Sequence, residues 1–438
     1  MDSKKYGSSG RPISWAGRNQ FSVPKWIKNP DPADIKSTLL DMYHDSEVDV
    51  KPLASGFNRV YEVEWPKRKA ASKAIMRVML PVEPHDKTES EIVTMQTVQR
   101  ISSLYIPKVI NSDSHPNNPI GYEWILLEYI EGTPLPFVAG MEEIDWILMS
   151  ERSQNALIWH LTRFYRAMFE HRLTYIGNLW PGTTAESTKL GNLISPDFYW
   201  ADHTSCVVDK GPFRNSHQWL SARLKIKSRV CQDTTSTYPT FAHRTEHIIK
   251  RLRRLLEDLF DPYIVEDTIL TNYDLSADNV IISEEDDEAF LQGKARRQKP
   301  HKRDYQDDND DWLPGGEEDH DKHILQYERT RLQNFFVQEM LRLCPEWVRV
   351  YASPMSRLQK DFDLAVGSCD DVVTQPLIKK WLDTIESGVE NLRLQNLDNR
   401  RRPCVSNLGL AIRSLQDRIY DNTNTSDTVK RPIVGRES

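Results

Sequence analysis

The sequence predicts an α+β protein in which a small antiparallel sheet with one inserted helix precedes a larger, mainly helical part. Two observations support this class. Between residues 50 and 132, short stretches alternate between apolar and polar residues with the two-residue period of a half-buried strand. After Gly132, apolar residues recur at intervals of three and four, which is the spacing of amphipathic helices. The change of period near Gly132 therefore marks the expected boundary between the two parts.

Three stretches of the first part have strand character: "RVYEVEW", "KAIMRVML" and "YEWILLEYI". In the first, Tyr61, Val63 and Trp65 share one face, and Val60, Glu62 and Glu64 share the other. The stretch "DKTESEIVTMQTVQRI", between the second and third, has helical spacing. Residues 49–132 are thus predicted to form a sheet with one helix, after an N-terminal extension over 1–48.

Helical stripes dominate the second part, residues 133–395. They are Leu157, Leu161, Phe164 and Met168; Ile248, Leu252, Leu255 and Leu259; and Leu332, Phe336, Met340 and Leu343. Such stripes are typical of helices that pack against the hydrophobic core and have no further role. Residues 286–323 are dense in both signs of charge and predict a solvated loop. Residues 396–438 are polar and predict a loosely held tail.

Composition limits the partners and the compartment. The net charge of -7 argues against nucleic acid as a partner. No apolar run approaches the roughly 18 residues of a membrane span. The first residues, "MDSKKYGSSGRPISW", lack the apolar core of a secretory signal. The five cysteines form no Cys-x-x-Cys pair, so we expect reduced thiols and no structural zinc, as in a cytoplasmic protein.

The stretch "NYDLSADN" carries the first candidate for chemistry. Its Asp274 and Asn279 have the Asp-Leu-x-x-x-Asn spacing of a kinase catalytic loop, which covers residues 270–283 here. In that role Asp274 would orient and deprotonate an acceptor hydroxyl, and Asn279 would give one oxygen to Mg²⁺. The alternative is a turn, because Asp and Asn are both turn residues.

The predicted sheet carries a second candidate. Arg77 follows "AIM" where kinases have a strand lysine, and it shares a strand face with Ile75 and Met79. A cation in a packed layer needs an anion. Glu91 lies on the inward arc of the next helix, so it is the expected partner, whereas Glu89 suits a capping box begun by Asp86. A purely structural ion pair is the alternative.

Gly56 lies in "LASGFNRVYEV", at the turn between two predicted strands. A glycine there would let the backbone approach phosphates closely. It would equally make a hairpin with no further role.

These stretches occur in kinase order, and the chain resembles the aminoglycoside phosphotransferase-like family in its fungal branch, related to choline kinase and other small-molecule kinases. The resemblance covers roughly residues 50–375. It rests on "SGFNRVYEV", "IMRVMLPVEP", "KTESEIVTM", "NPIGYEWILLEYIEGTPL", "KGPFRNSHQWL", "NYDLSADNVII" and "DFDLAVGSCD".

The resemblance implies a two-lobed protein-kinase-like fold that binds ATP and Mg²⁺. It implies an adenine contact through the backbone of Glu128 and Ile130, in the segment that joins the lobes. It also implies Asp274 as catalytic base, Asn279 as Mg²⁺ ligand, and Arg77 with Glu91 as the phosphate-anchoring pair. The acceptor would be a small molecule with a hydroxyl group, whose identity the family does not fix.

The sequence departs from the family at three places. Asn272 stands where a histidine usually precedes the catalytic aspartate, and Arg77 stands for the strand lysine. The third departure is larger: relatives have a returning strand that ends in a metal-binding aspartate about a dozen residues after the asparagine. Here the chain reads "VIISEEDDEAFLQGKARR", with no apolar alternation for such a strand. Asp286, Asp287 and Glu288 come too early along the chain to replace that aspartate.

The expected function is therefore an ATP-dependent phosphotransferase of the small-molecule kinase type, with impaired catalysis. The charge of a bound metal ion stabilises the transition state by several kcal/mol, and each 1.36 kcal/mol changes the reaction rate about tenfold. Two alternatives remain open. One is a nucleotide-binding or scaffold protein of the pseudokinase kind, and the other is an incomplete or mis-spliced version of an active enzyme.

Overall fold

The computed structural model describes residues 13–16, 22–69, 72–134, 151–184, 187–234, 238–271, 275, 279–282 and 316–388. They fall into two compact units, each made of separate segments of the chain. The first unit holds the described residues up to Ile130, Glu170–Leu270 and those from Gln359 onward. The second holds those within Glu131–Phe169 and Thr271–Leu358. The predicted division of the chain into two consecutive parts at Gly132 stays a prediction.

The first unit begins with two short paired strands and a helix, and then builds its main sheet. Its elements up to residue 130 are β1 Ile13–Ala16, β2 Val23–Trp26, α1 Pro32–Tyr43, β3 Asp49–Ser55, β4 Arg59–Glu64, β5 Lys73–Val78, α2 Asp86–Ile101, β6 Val109–Asp113 and β7 Trp124–Glu128. Strands β3 to β7 form one antiparallel sheet in the order β3–β4–β5–β7–β6. Helix α2 follows the third strand, which is where kinases place the helix that carries the acidic partner of the strand cation.

Both faces of this sheet are covered. On one face Tyr61, Val63, Met76 and their neighbours pack against Ile35 and Leu39 of α1. On the other face, apolar residues of the sheet pack against α2: Ile75, Met79, Ile125 and Leu127 meet Ile92 and Met95. The structure confirms the predicted α+β class. It also confirms the alternation along β4, because Tyr61 and Val63 are buried and Glu62 between them is not.

Helix α1 was not expected from the sequence. It begins after Asp31, whose Oδ1 accepts a hydrogen bond from the Ala33 N–H at 2.9 Å, and Pro32 opens the first turn. Its buried residues Ile35 and Leu39 are one turn apart. These cap and spacing signals are present in the sequence, but one short apolar stripe gives a weak periodic pattern.

The rest of the first unit is mainly helical. Its elements are β9 Arg172–Leu173, β10 Asn178–Pro181, β11 Thr188–Gly191, α4 Pro196–Tyr199, a 3₁₀ turn Ala201–Ser205, α5 Ser216–Thr234, α6 Pro239–Leu259 and β12 Thr268–Ile269. The end of the helix α9 Pro354–Ser368 and the helix α10 Gln375–Glu386 complete it. Helix α6 confirms the helical stretch predicted ahead of the catalytic loop.

Buried ion pairs connect the helices of this unit. On α5, Arg223 contacts Asp197 at 2.9 Å and also Asp363, while its side chain is only 6% exposed. One turn later Lys227, equally buried, holds both carboxylate oxygens of Asp370 at 2.8 Å. Each of these two cations therefore has a carboxylate partner, as burial of charge requires.

The second unit consists of β8 Thr133–Pro134, α3 Glu151–Glu170, β13 Ile281–Ile282, α7 Gly316–Leu343, α8 Pro345–Tyr351 and most of α9 Pro354–Ser368. The predicted stripes of α3 and α7 are largely buried: Leu157, Leu161, Phe164, Met168, Leu332, Phe336 and Met340. Strand β13 pairs with β8. Gly132 allows this pairing, because its φ is +139° and an added Cβ would lie 2.2 Å from the Ile282 carbonyl oxygen.

The predicted charged loop over 286–323 is wrong in its last part, where α7 already begins at Gly316. Acidic side chains near a helix N-terminus interact favourably with its dipole, so "GEEDHD" supports a helix start despite its charge. Residues 286–315 and the tail 396–438 lie outside the described residues. The four described cysteines are buried, and Cys404 lies outside the described residues.

Candidate functional site

The predicted ion pair of the sheet is present. Arg77 lies on the face of β5 that meets α2, and its Nη2 contacts Glu91 Oε1. The two side chains are 22% and 30% exposed, so the pair is shielded but open to the surroundings on one side. The Nε of Arg77 is buried, and no described residue accepts a hydrogen bond from it. One donor of the guanidinium thus has no acceptor among the described residues.

The helix that carries Glu91 begins slightly differently from the prediction. Its N-cap is His85 rather than Asp86, and the His85 side chain makes no capping hydrogen bond. Instead His85 Nδ1 lies 3.0 Å from Ser114 Oγ. Asp86 and Glu89 therefore both lie in the first turn, where their negative charges interact favourably with the helix dipole. This shift leaves Glu91 on the inward arc, as predicted.

Lys87 is a cation of this site that the sequence interpretation missed. The residue is half-buried, but its Nζ is fully buried and no described residue accepts a hydrogen bond from it. Burial lowers the pKa of the ammonium; the Arg77 charge acts in the same direction, and the Glu91 and Glu123 carboxylates oppose it. The available signal was its position one turn before Glu91, since residues four apart share a helix face.

Glu123 is the second missed residue. It is 4% exposed, and its Oε2 accepts a hydrogen bond from Thr88 Oγ1 at 2.6 Å. Its Oε1 is buried, and no described residue donates to it. Burial raises the pKa of this carboxyl above its ordinary value, although Thr88, His85 and Lys87 act in the opposite direction.

The turn from Gly56 to Asn58 joins β3 and β4. Gly56 is exposed, and its N–H donates to the Asn58 carbonyl oxygen at 3.1 Å. An added Cβ at Gly56 would meet nothing within 4 Å, so the turn itself does not require a glycine there. The space above Gly56 is open, as the predicted approach to a phosphate needs, but the phosphate role of Gly56 stays a prediction.

Phe57, at the tip of this turn, is held between two partners. Its ring stacks on the Trp200 ring, with centroids 6.0 Å apart and planes 11° apart. The Lys87 ammonium lies 5.0 Å from the centroid of the Phe57 ring, within cation–π range. Trp200 is itself fixed, because its Nε1 donates to the Ser22 carbonyl oxygen at 2.5 Å. The turn is therefore folded onto the unit by aromatic contacts.

Glu128 ends β7, and Ile130 is the last residue of the first unit before the division. The Glu128 N–H donates to the Lys108 carbonyl oxygen at 2.9 Å, which excludes that N–H as an adenine donor. The Glu128 carboxylate accepts from Tyr105 Oη at 2.6 Å, and this hydrogen bond lowers its pKa. The predicted adenine contacts of Glu128 and Ile130 stay predictions.

Most of the catalytic loop lies outside the described residues. This applies to Asn272 and Asp274, and to the acidic run Asp286–Glu288. Asn279 is described: it is exposed and lies two residues before β13. No described helix is long and apolar enough to cross a membrane.

The predicted Mg²⁺ site depends largely on residues outside the described ones. Within the described residues, no group of three or more His, Cys, Asp or Glu side chains could hold a metal ion. Asn279 offers one neutral amide oxygen, whereas Mg²⁺ prefers carboxylates and phosphate oxygens. The role of Asn279 as a Mg²⁺ ligand therefore stays a prediction.

The comparisons with known proteins give weak similarities. No protein-family model matches the chain. A subtelomeric hrmA-associated cluster protein of Aspergillus fumigatus, found in two strains, is 25% identical over 187 residues. This match covers 40% of the chain and 35% of that protein, so the chain spans about a third of the length of the curated relatives it matches.

Among solved structures, the chain is similar to an aminoglycoside phosphotransferase, described as putative, from Ralstonia eutropha. The identity is 11%, the TM-score 0.38, and the match covers 89% of this chain and 99% of that one. It is also similar to choline kinase from Cryptosporidium parvum, with 14% identity, a TM-score of 0.35, and coverage of 80% and 93%. These are the kinds of neighbours that the resemblance predicts, but such low scores assign no role to any residue.

Proposed function

We propose that this chain is a nucleotide-binding protein of the small-molecule phosphotransferase type, with ATP as its nucleotide and strongly impaired phosphoryl transfer. The observation that carries the proposal is Arg77. Its guanidinium is oriented by Glu91, and it keeps a buried Nε without a described acceptor. A buried donor without a partner costs about 1–3 kcal/mol, so an arrangement of this kind suits a site completed by a ligand.

Phosphate oxygens suit this position. A guanidinium is a planar fork that binds phosphate through parallel hydrogen bonds, and it keeps its charge at every physiological pH. The open space at Gly56, at the turn beside β4, would admit phosphate without a steric obstacle from the glycine. In the proposed complex Arg77 anchors the phosphates, while the backbone carbonyl of Glu128 and the backbone of Ile130 contact the adenine.

The remaining roles come from the resemblance and are part of the proposal. Asp274 orients and deprotonates the hydroxyl of a small-molecule acceptor, and Asn279 contributes an oxygen to Mg²⁺. Transfer is impaired because the sequence after Asn279 lacks a returning strand that ends in an aspartate. The same observation favours a second candidate function, a pseudokinase that binds nucleotide without transfer. Either protein would act in the cytoplasm, without membrane or nucleic acid.

A matched pair of variants tests the role of Arg77. Arg68 makes a similar ion pair with Asp45, with side chains 27% and 25% exposed, and it stacks on the Trp65 ring. Arg77→Ala should weaken ATP binding by about 10- to 100-fold in a calorimetric titration, the range of a lost charged hydrogen bond. Arg68→Ala should leave ATP affinity unchanged while it lowers stability comparably. Unchanged ATP affinity in a folded Arg77→Ala protein would refute the proposal.

A second experiment separates the two candidate functions. ATP turnover is measured for the chain and for a variant with a relative's returning strand, including its aspartate, inserted after Ser283. We expect very low turnover for the chain and a gain in the variant that Asp274→Asn abolishes. Turnover at an ordinary kinase rate of about 1–100 per second by the chain itself, dependent on Asp274, would show that transfer is not impaired.

A further inference from the structure

Lys87 has an unusual environment for a buried lysine. Its Nζ is shielded from solvent, yet no described residue accepts a hydrogen bond from it. Lysine is almost never buried without a partner, because an ammonium loses its hydration and gains nothing in return. The structure therefore raises the question of which group compensates this charge.

The nearby carboxylates are already engaged. Glu91 is the ion-pair partner of Arg77. Glu123 accepts from Thr88, and no described residue donates to its other oxygen. Neither carboxylate therefore accepts a hydrogen bond from Lys87 Nζ. An incoming anion would supply the acceptor that this ammonium lacks among the described residues.

The group now covering Lys87 is the ring of Phe57, at 5.0 Å. A cation–π contact compensates an ammonium only partly, by about 0.5–2 kcal/mol. Phe57 is also 37% exposed, and it lies at the tip of the turn that begins with the open position Gly56. Displacing the ring would give up its contact with Lys87 and its stacking on Trp200, but Phe57 is not a residue of the core.

We propose that Lys87 is a second phosphate-binding residue, which joins Arg77 in an anion site beneath the turn Gly56–Asn58, and that the Phe57 ring covers it until a polyphosphate arrives. This inference rests on the proposed function, in which Arg77 anchors nucleotide phosphates. It adds that the site recognises a polyphosphate through two cations from different elements, β5 and α2.

The test uses inorganic tripolyphosphate, ATP and adenosine as separate probes, titrated calorimetrically into the full chain. Lys87→Met should weaken tripolyphosphate and ATP binding at least about tenfold, the loss of one charged hydrogen bond. Adenosine binding should not change. Lys87→Arg should keep most of the tripolyphosphate affinity, because the charge is restored. Lys227→Met, which removes a lysine that already has a carboxylate partner, should leave all three affinities unchanged.

Phe57→Ala is the independent variant, and it leaves Lys87 in place if Lys87→Met does not fold. Without the ring, tripolyphosphate should bind several-fold more tightly, because nothing has to move aside. Equal tripolyphosphate affinity in the chain and in folded Lys87→Met, or weaker binding in Phe57→Ala, would overturn the inference. ATP binding that depends on Arg77 but not on Lys87 would overturn the inference alone. Lys87-dependent tripolyphosphate binding without any ATP binding would overturn the proposed function and leave the anion site standing.

Discussion

Two pairs of cations in the first unit differ in how their donors are matched. On α5, Arg223 and Lys227 lie one turn apart, and each holds its own aspartate partners. Beside the sheet, Arg77 is paired with Glu91, but no described residue accepts a hydrogen bond from Lys87 Nζ. The matched set on α5 joins helices. The unmatched set beside the sheet lacks an acceptor for Lys87, and on our proposal an anionic ligand supplies it.

The largest expected change in the free energy of unfolding comes from a substitution in the matched set. Lys227→Met leaves the Asp370 carboxylate, which is 13% exposed, without its cation. Removal of one partner from a buried pair is strongly destabilising, so we expect a loss of about 3 kcal/mol in the free energy of unfolding. Urea denaturation measures it, with Lys225→Met, an exposed lysine of the same helix, as the control. A loss no larger than that of the control would mean that the pair is not part of the framework.

A lysine-to-methionine substitution in the unmatched set should not lower the free energy of unfolding. Lys87→Met removes a buried charge without breaking a hydrogen bond, so the protein should be unchanged or up to about 1 kcal/mol more stable. Burial lowers the folded-state pKa below the ordinary value of 10.5, so the unfolded chain binds the proton more readily. Stability of the original chain should therefore rise with pH toward 10.5, and this rise should be absent in Lys87→Met. A destabilisation as large as that of Lys227→Met would show that Lys87 is already matched.

The smallest effect concerns Glu123. Burial raises its folded-state pKa above the ordinary value of 4.5, so the folded state holds the proton longer than the unfolded chain. Stability should then fall as pH rises from 4.5 through the raised pKa. In Glu123→Gln, whose side chain can still accept a hydrogen bond from Thr88, this contribution is removed. The stability of the variant, measured by thermal melts, should therefore fall less between pH 4.5 and 7. Identical pH profiles for the two proteins would mean that Glu123 is ionised in the folded state and helps to match Lys87.

The sequence predicted the sheet and the Arg77–Glu91 pair because both follow from local periodicity. Alternation along β4 sets which residues are buried, and the inward arc of α2 selects Glu91 over Glu89. Helix α1 was missed because its apolar stripe is short. Lys87 could not be identified in this way, since its burial depends on Phe57 folding over it from another element.

Other parts of the site could be predicted only as motifs. The spacing of Asp274 and Asn279 is a sequence feature, and their roles in catalysis stay predictions because Asp274 lies outside the described residues. The start of α7 at Gly316 was missed because a high density of charge resembles a loop in composition, although acidic residues also favour the first turn of a helix. Composition does not distinguish these two cases.

The most direct test of the central claim is the stability gained from ATP in four proteins: the chain, Arg77→Ala, Lys87→Met and Lys227→Met. At an ATP concentration about 100-fold above the dissociation constant, the chain should gain about 2.7 kcal/mol in the free energy of unfolding. Lys227→Met should gain the same amount from its lower starting stability, while the other two variants should gain at least about 1 kcal/mol less. No gain in the chain, or equal gains in all four proteins, would contradict the claim that the unmatched cations bind the nucleotide phosphates.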